Sequence, residues 1–398
     1  MRIGIIAHDL TQAAVRGWSR YAAGLVRALA ATGSAEVVLF ARRPLAPIYD
    51  DLPGRRCIWP GRREVVWEQW ELPRRAAARG VDVLHAPSNR GLCAFAPCPT
   101  VVTRHDAIER MFAPDFPGSL RSRLRLYYAD AVAMRRASAI ATVSETSKRD
   151  IVKTWSLDGA RVVVAGEGID DRFFMGATRA ERERVRGYYG LEGPYLLYLG
   201  GMDRRKDVVT LVDAYAAWGR RDIPCLIAGS TRGESQPVNE RVARYGLASC
   251  VRVLGEIAED DVRGLYAGAA AFAYPSRYEG FGLQAVEAMA MGVPAVVSDG
   301  GALPEVVGDA ALVFRAGDAS ALANCLDRLF ADEQLRYRLI ERGWRRASRF
   351  RWEHVIARYL SLYRNLGAQP APQAAKIVER APSRVRTAAI APTNVLPR

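Results

Sequence analysis

Short apolar runs rich in β-branched residues recur along the chain: RIGIIA, EVVLF, VDVLHA, TVVTRHD, AIATVS and RVVVAGEG in the first half, then YLLYLGG, CLIAGS, VRVLGE, AAFAYPS, PAVVSD and AALVF in the second. Longer stretches of helical period separate them. A strand wetted on one face alternates apolar with polar residues, so these continuous runs predict parallel strands covered on both faces. Two successive β/α series predict an α/β protein of two doubly wound, Rossmann-like domains. The length of 398 residues agrees, because single cores stop growing at about 250 residues.

The segment GATRAERERVRGYYGLEGP, between Phe174 and Tyr195, is charged, punctuated by glycine and without a strand. It separates an expected first domain, residues 1–176, from a second, residues 190–349. RRASRFRWEHVIARYLSLYRNL reads as a terminal helix, and its stretch near 350–366 is expected to complete the first domain. From Gly367 the chain is rich in Ala and Pro and carries five Lys/Arg against one Glu. That is the composition of a disordered tail over 367–398.

Composition excludes several classes. MRIGIIAHDL breaks at His8 and Asp9 before a signal-peptide core is complete, and no apolar run approaches the roughly 20 residues that span a bilayer. A cytoplasmic protein is expected. Six cysteines are scattered without a CxxC pair, and none of the four histidines stands at metal-ligand spacing from one. Neither a structural zinc nor a disulfide framework is therefore expected. The net charge of +14 attracts nucleic acid, phosphorylated small molecules and anionic membrane faces. No helix-turn-helix, zinc finger or aromatic RNA-binding signature accompanies it, so nucleic acid is not expected as a partner. In SLRSRLRLYYADAVAMRR, Leu120, Leu124, Tyr127, Ala131 and Met134 share a helical face that excludes Arg121 and Arg125. This is either a core-packed helix with a solvated basic face or a contact with anionic lipid.

Ligands of open α/β sheets sit beyond the carboxyl ends of the strands, often at a helix N-terminus that favours anions. After YLLYL comes GGMDRRKD, in which Gly200 and Gly201 permit close backbone approach and Arg204, Arg205 and Lys206 precede a helix. The loop suits a diphosphate, the alternative being a solvated turn; it lacks Walker A spacing. After AAFAYPS comes YEGFGLQAVEAMAMGVP. Gly280 and Gly282 interrupt any helix there, so Glu279 belongs to a loop and the helix starts near Leu283. One helix carrying both Glu279 and Glu287 would hold them about 12 Å apart, too far for a glycosidase pair at about 5 to 10 Å. Glu287 shares a face with Leu283, Val286 and Ala290, and a carboxylate there needs partners, either a ribose diol or a buried salt bridge. In the first half, strands end at His85 and His105; neither has a neighbouring Ser or Cys to complete a triad. His105, followed by Asp106, is the stronger candidate.

Together these residues resemble the retaining glycosyltransferases of the GT-B fold, family 4, which include mannosyl- and glucosyltransferases of polysaccharide assembly. PSRYEGFGLQAVEAMAMGVPAVVSDGGALPEVVGDAALVF matches the family's glutamate-pair block, LYLGGMDRRKDVVTLVDAY its phosphate loop, and VRVLGEIAEDDVRGLYAGAAAFAYPS the segment beside the base. RGWSRYAAGLVRAL, WEQWELPRRA, VVTRHDAI and ATVSETSKRDI fit its acceptor domain. The resemblance implies two domains facing across a cleft, a nucleotide-sugar donor and a glycan or lipid-linked acceptor. GDP-mannose is favoured, because the RK loop and WEQ segment are similar to mannosyltransferases. It also implies retaining transfer without metal or other cofactor, and peripheral contact with an anionic membrane. Arg205 and Lys206 would neutralise the departing diphosphate, Glu279 would face the sugar, and His105 would touch it from across the cleft. Gly17, Gly200 and Gly201 would let backbone approach the phosphates, with the N–H groups of Phe281, Gly282 and Leu283 near phosphate or sugar. Glu287 would hold the ribose, and Ile257 would flank the base. The chain departs from the pattern at Gly201, where arginine is frequent, and at Asp207, Glu167 and Arg104, where Asn or Gly, Asn, and an apolar residue are usual. Trp18 also replaces the second of a glycine pair. A binding partner of the same fold without turnover is the alternative.

Overall fold

The structure is a computed structural model that describes residues 1–12, 17–60, 64–88, 93–112, 127, 130, 134–230 and 235–368. Most of the helix expected over 119–136 and nearly all of the expected tail lie outside the described residues.

The continuous runs form two parallel sheets. The first contains β1 (Arg2–Ile6), β2 (Glu36–Ala41), β3 (Arg55–Ile58), β4 (Val83–Ala86), β5 (Thr100–Thr103), β6 (Ala139–Thr142) and β7 (Val162–Val164), ordered β3-β2-β1-β4-β5-β6-β7. The second contains β8 (Tyr195–Leu199), β9 (Cys225–Ala228), β10 (Val251–Gly255), β11 (Ala269–Tyr274), β12 (Ala295–Ser298) and β13 (Ala311–Phe314), ordered β10-β9-β8-β11-β12-β13. Every residue of β4, β5, β6, β8, β9 and β12 is buried, as two-sided cover requires. In both sheets the order reverses next to the first strand, between β1 and β4 and between β8 and β11. A crevice opens at each reversal.

One strand escaped the apolar pattern. β3 lies at the sheet edge as RRCI, with only Cys57 buried, and charge on an edge is how sheets avoid pairing with other chains.

The charged segment after Phe174 is no bare linker. It contains the helix Arg179–Tyr189, started by a capping box in which Thr178 Oγ1 accepts from Glu181 N at 3.2 Å and Glu181 accepts from Thr178 N at 2.6 Å. Val185 anchors it, for a Cβ on Gly264 would lie 2.5 Å from the valine.

RRASRFRWEHVIARYLSLYRNL is likewise two helices. Glu333–Ser348 ends before it is complete, and Trp352–Gly367 begins after Arg351 has bridged to Ile169. The last described helix buries Val355, Ile356, Tyr359, Tyr363 and Leu366 against the core of the first sheet, so it returns to the sheet that β1 opened. Among the described residues no helix is long and apolar enough to cross a membrane.

Trp352 docks that helix between two glycines. A Cβ on Gly24 would fall 2.2 Å from its ring, and one on Gly168 2.3 Å. Gly24→Ala should gain about 1 kcal/mol of helix propensity but lose about 1–3 kcal/mol to overpacking. Net destabilisation is expected in urea unfolding, with recovery when Trp352→Phe is added.

Candidate active site

The β8–β11 crevice is lined by the two loops that follow those strands, tied together by Arg277 N donating to Arg205 O at 2.7 Å. Gly200 N, just past β8, donates to Ala228 O at 3.0 Å, and Gly201 O accepts from the Tyr198 hydroxyl. The loop then delivers Arg205 and Lys206 to Glu279 of the other loop. Lys206 Nζ lies 2.7 Å and Arg205 Nη1 3.1 Å from Glu279 Oε1. Lys206 also donates to the Tyr274 hydroxyl at 2.7 Å, and Arg205 to Tyr278 O at 2.7 Å.

Burial opposes the Glu279 charge, yet Lys206 and Arg205 outweigh it and push its pKa down to about 2. Burial, aided by the Arg205 charge, lowers that of Lys206 despite Glu279. An ammonium has three N–H groups, of which two are used. Arg205 Nε is buried without a hydrogen-bond partner among the described residues. The two cations thus share Glu279, with Asp203 Oδ1 a further 3.8 Å from Arg205 Nε, beyond hydrogen-bond reach, so donors remain unspent. Asp207, the unexpected acid, sits at φ 51° and is neutralised by Arg277 Nε at 3.0 Å, while it accepts from Thr210 Oγ1 at 2.9 Å.

Past Glu279 the chain needs both of its glycines. A Cβ on Gly280 would lie 2.6 Å from Asp106 of the first unit, and Gly282 has φ 98°, which side chains rarely adopt. Gly280 O accepts from Ser144 Oγ at 2.7 Å and Ser147 Oγ at 3.0 Å, again across the units. The helix starts at Leu283 and ends at Ala290, so the N–H groups near Leu283 have no acceptor within it and open an anion-favouring terminus. Phe281 packs edge-on against Phe350 at 5.2 Å. One helical turn on, Glu287 is 1% exposed. Its Oε1 accepts from Arg20 Nη1 at 2.9 Å and its Oε2 from the Tyr266 hydroxyl at 3.1 Å. Arg20 also pairs with Glu259, which Arg172 meets too.

Sequence reasoning missed Arg20, Glu259 and Tyr266, for Arg20 shares a face of the helix Gly17–Ala31 with the exposed Arg27 and reads there as a solvated residue. Glu287, Glu259, Arg20, Arg172 and Leu283 line a cavity of about 650 Å³. Ile257 follows β10 half-buried on the core of the second sheet. Gly17 opens the first helix, where a Cβ would meet nothing within 4 Å. Neither residue contacts the cation cluster.

The histidines separate cleanly. His85 is fully buried, with Nδ1 2.6 Å from the Tyr363 hydroxyl and Nε2 2.8 Å from Thr103 Oγ1. Burial, with the neighbouring His105, pushes its pKa down to about 3, so it is a neutral core residue. His105 Nε2 lies 3.2 Å from Pro87 O, and Nδ1 lies 3.4 Å from Glu167 Oε2. Both neighbours only accept, which suits a doubly protonated ring. Burial disfavours that cation, but the hydrogen bond and charge of Glu167, with Asp106 and the Pro87 carbonyl, raise its pKa above the ordinary value. Glu167 thus has a reason to replace Asn. Arg104 is fully buried, held by Asp130 at 2.8 Å and stacked 4.7 Å from Trp155. It occupies an apolar slot by bringing its own counter-charge.

One further group, unseen at sequence spacing, brings ligand atoms of His8, Glu64 and Glu68 within 4.8 Å of one another. Pairing gives it a sufficient account, since Arg42 lies 3.9 Å from Glu64 and His8 3.4 Å from Glu68.

A raised His105 pKa means the fold holds a proton that the unfolded chain releases. The stabilisation is complete below about pH 6.5 and is lost as pH rises through the folded value. The stability gap between wild type and Glu167→Gln should therefore be wider at pH 6 than at pH 9 in urea unfolding. By NMR, His105 should titrate at lower pH in the variant.

Comparison with known proteins agrees with this architecture. Residues 181–346 match the model described as glycosyl transferases group 1, and residues 15–173 that of glycosyltransferase family 4. The chain is 32% identical to the O-antigen chain mannosyltransferase B of Escherichia coli, over 58% of this chain and 61% of that one. It is 30% identical to the mannosylfructose-phosphate synthase of Agrobacterium fabrum, over 53% of this chain and 49% of that one. The matches thus span about half to three-fifths of these relatives' length. Among solved structures, Anabaena HepE in complex with UDP-glucose superposes with a TM-score of 0.73 at 19% identity, covering 92% of this chain and all of that one, 100%. With two facing parallel sheets of the GT-B fold and both family patterns in sequence along it, the chain belongs to the group 1, family 4 glycosyltransferases.

Proposed function

We propose that the protein is a retaining, metal-independent hexosyltransferase. It moves mannose by preference from a nucleotide-diphosphate sugar to a hydroxyl of a lipid-linked or polysaccharide acceptor. The observation that carries this reading is the pair Arg205, partly buried, and Lys206, buried, at the β8–β11 crevice with hydrogen-bond donors left over. Buried cations with spare donors attract a diphosphate, and the N-terminus of the helix Leu283–Ala290 adds partial positive charge beside them.

In the reaction the bond from the anomeric carbon to the diphosphate oxygen breaks, and the electron pair leaves with the phosphate. A bond from that carbon to the acceptor oxygen forms on the same face, and the acceptor proton passes to the phosphate. Arg205, Lys206 and the helix terminus stabilise the charge that develops, the kind of preorganised electrostatics that dominates many enzymes. These cations meet the electrostatic need without a metal.

Glu279, with its pKa pushed down to about 2, stays ionised at neutral pH. It is unsuited to proton donation, and two cations blunt it as a nucleophile. Its part is to hold the cations in place and face the sugar. His105, whose pKa Glu167 raises against the effect of burial, approaches the sugar from the first unit, and Glu287 takes the ribose hydroxyls. Gly17, Gly200 and Gly201 keep backbone near the phosphates, and Ile257 flanks the base. Mannose is favoured because two of the matched relatives carry mannosyl names. The net charge of +14 supports work at an anionic membrane surface, the inner face of the plasma membrane, where a lipid-linked acceptor would be met.

Arg205→Ala and Lys206→Ala should each lower kcat by about 10²- to 10³-fold in a protein that still folds, with a lowered melting temperature, because Glu279 keeps one cation in either variant. Near-normal turnover of either would overturn the assignment. In a panel of nucleotide sugars, GDP-mannose should stabilise most, by about 2.7 kcal/mol at 100 times its dissociation constant.

A further inference from the structure

The contact that joins the two units at Glu287 is made by a residue outside the donor wall. Arg20 lies on the helix Gly17–Ala31, which packs on the first sheet, and its guanidinium reaches two carboxylates of the second unit, Glu287 at 2.9 Å and Glu259. The Tyr266 hydroxyl donates toward the other oxygen of Glu287 at 3.1 Å, with Gln284 O a second acceptor at 3.2 Å. An ionised carboxylate offers about four lone-pair sites. Arg20 and Tyr266 use one on each oxygen, which leaves about two, the number a vicinal diol requires.

A carboxylate held at both oxygens cannot turn, so the directions of the free lone pairs are set as well. Glu287 is buried and sits beside the negative charge of Glu259, and both conditions disfavour its ionised form. Arg20 is the cation placed between them. The cavity of about 650 Å³ beside this cluster falls within the range of small-ligand sites, so a nucleoside has room to reach the free side of Glu287.

We propose that Arg20 is a positioning residue for the ribose of the bound nucleotide, acting through Glu287. Because it belongs to the opposite unit, ribose recognition depends on contact between the two units. The proposal rests on the reading of Glu287 as the ribose acceptor. It gives Arg20 a part that a hinge salt bridge would not have, since a hinge contact would affect ligands with and without ribose hydroxyls equally.

Calorimetric titration of GDP, UDP and their 2′,3′-dideoxy counterparts separates these roles. Wild type should bind each ribonucleotide about tenfold or more tightly than its dideoxy form, the value of hydrogen bonds to a charged group. In Arg20→Gln the ratio should fall to about threefold or less, approaching that of Glu287→Gln, with ligand-free melting curves confirming that both fold. Arg20→Met serves if Arg20→Gln does not fold. An unchanged ratio in the Arg20 variant, with a large ratio in wild type, overturns the role of Arg20 alone. Equal binding of ribo and dideoxy ligands by wild type overturns the ribose reading of Glu287, and the proposal with it.

Discussion

Two cations held by one buried carboxylate organise the second half of this molecule. Arg205, Lys206 and Glu279 lie where desolvation is costly for each charge, and breaking a buried pair typically costs about 3–5 kcal/mol. Nearby groups are arranged to keep the cluster paired: Tyr274 bonds Lys206, the Tyr278 carbonyl bonds Arg205, and Arg277 N clamps the two loops at Arg205 O. The reversal of strand order between β8 and β11 brings these loops together. Parallel strands send every crossover over a face and leave the crevice at the carboxyl edge. The N–H donors that Arg205 and Lys206 leave unused are what an anionic ligand would take up.

The first unit completes the site. Asp106 presses on Gly280, Ser144 and Ser147 bond its carbonyl, and Arg20 reaches Glu287 and Glu259. At the rim, Glu305 of the second unit caps the helix Glu145–Trp155, accepting from Glu145 N at 2.7 Å and Thr146 N at 2.9 Å. A carboxylate at a helix N-terminus satisfies orphan donors and meets the positive end of the dipole. These polar, directional contacts accompany apolar ones, for Val143, Ile169 and Phe173 of the first unit join the core of the second sheet and Phe112 meets the Tyr278 ring at 5.5 Å.

Much of this was legible in sequence because burial on both faces leaves continuous apolar runs, and ligand chemistry follows the ends of those runs. GGMDRRKD and YEGFG were found that way, and the glycines correctly ended the helix before Leu283. Features governed by long-range contacts were not legible. β3 is an edge strand whose arginines hide it, the helix Arg179–Tyr189 rests on the single buried Val185, and the break at Arg349–Arg351 depends on a bridge to Ile169. Arg20 was overlooked because its partners stand 239 and 267 residues away. Glu167 and Arg104 looked anomalous only without their partners, His105 and Asp130.

The central claim is that Arg205 and Lys206 receive the donor diphosphate, and a phosphate series tests it most directly. Titrating guanosine, GMP and GDP, and the uridine set, should show in wild type that the second phosphate tightens binding by about tenfold or more, as charge-assisted hydrogen bonds would give. The increment should vanish in the Arg205→Ala, Lys206→Ala double variant made with Glu279→Gln, which leaves no buried carboxylate without a counter-charge, while nucleoside binding is kept. An increment of the same size in that variant would contradict the account, and the diphosphate would then belong elsewhere on the molecule.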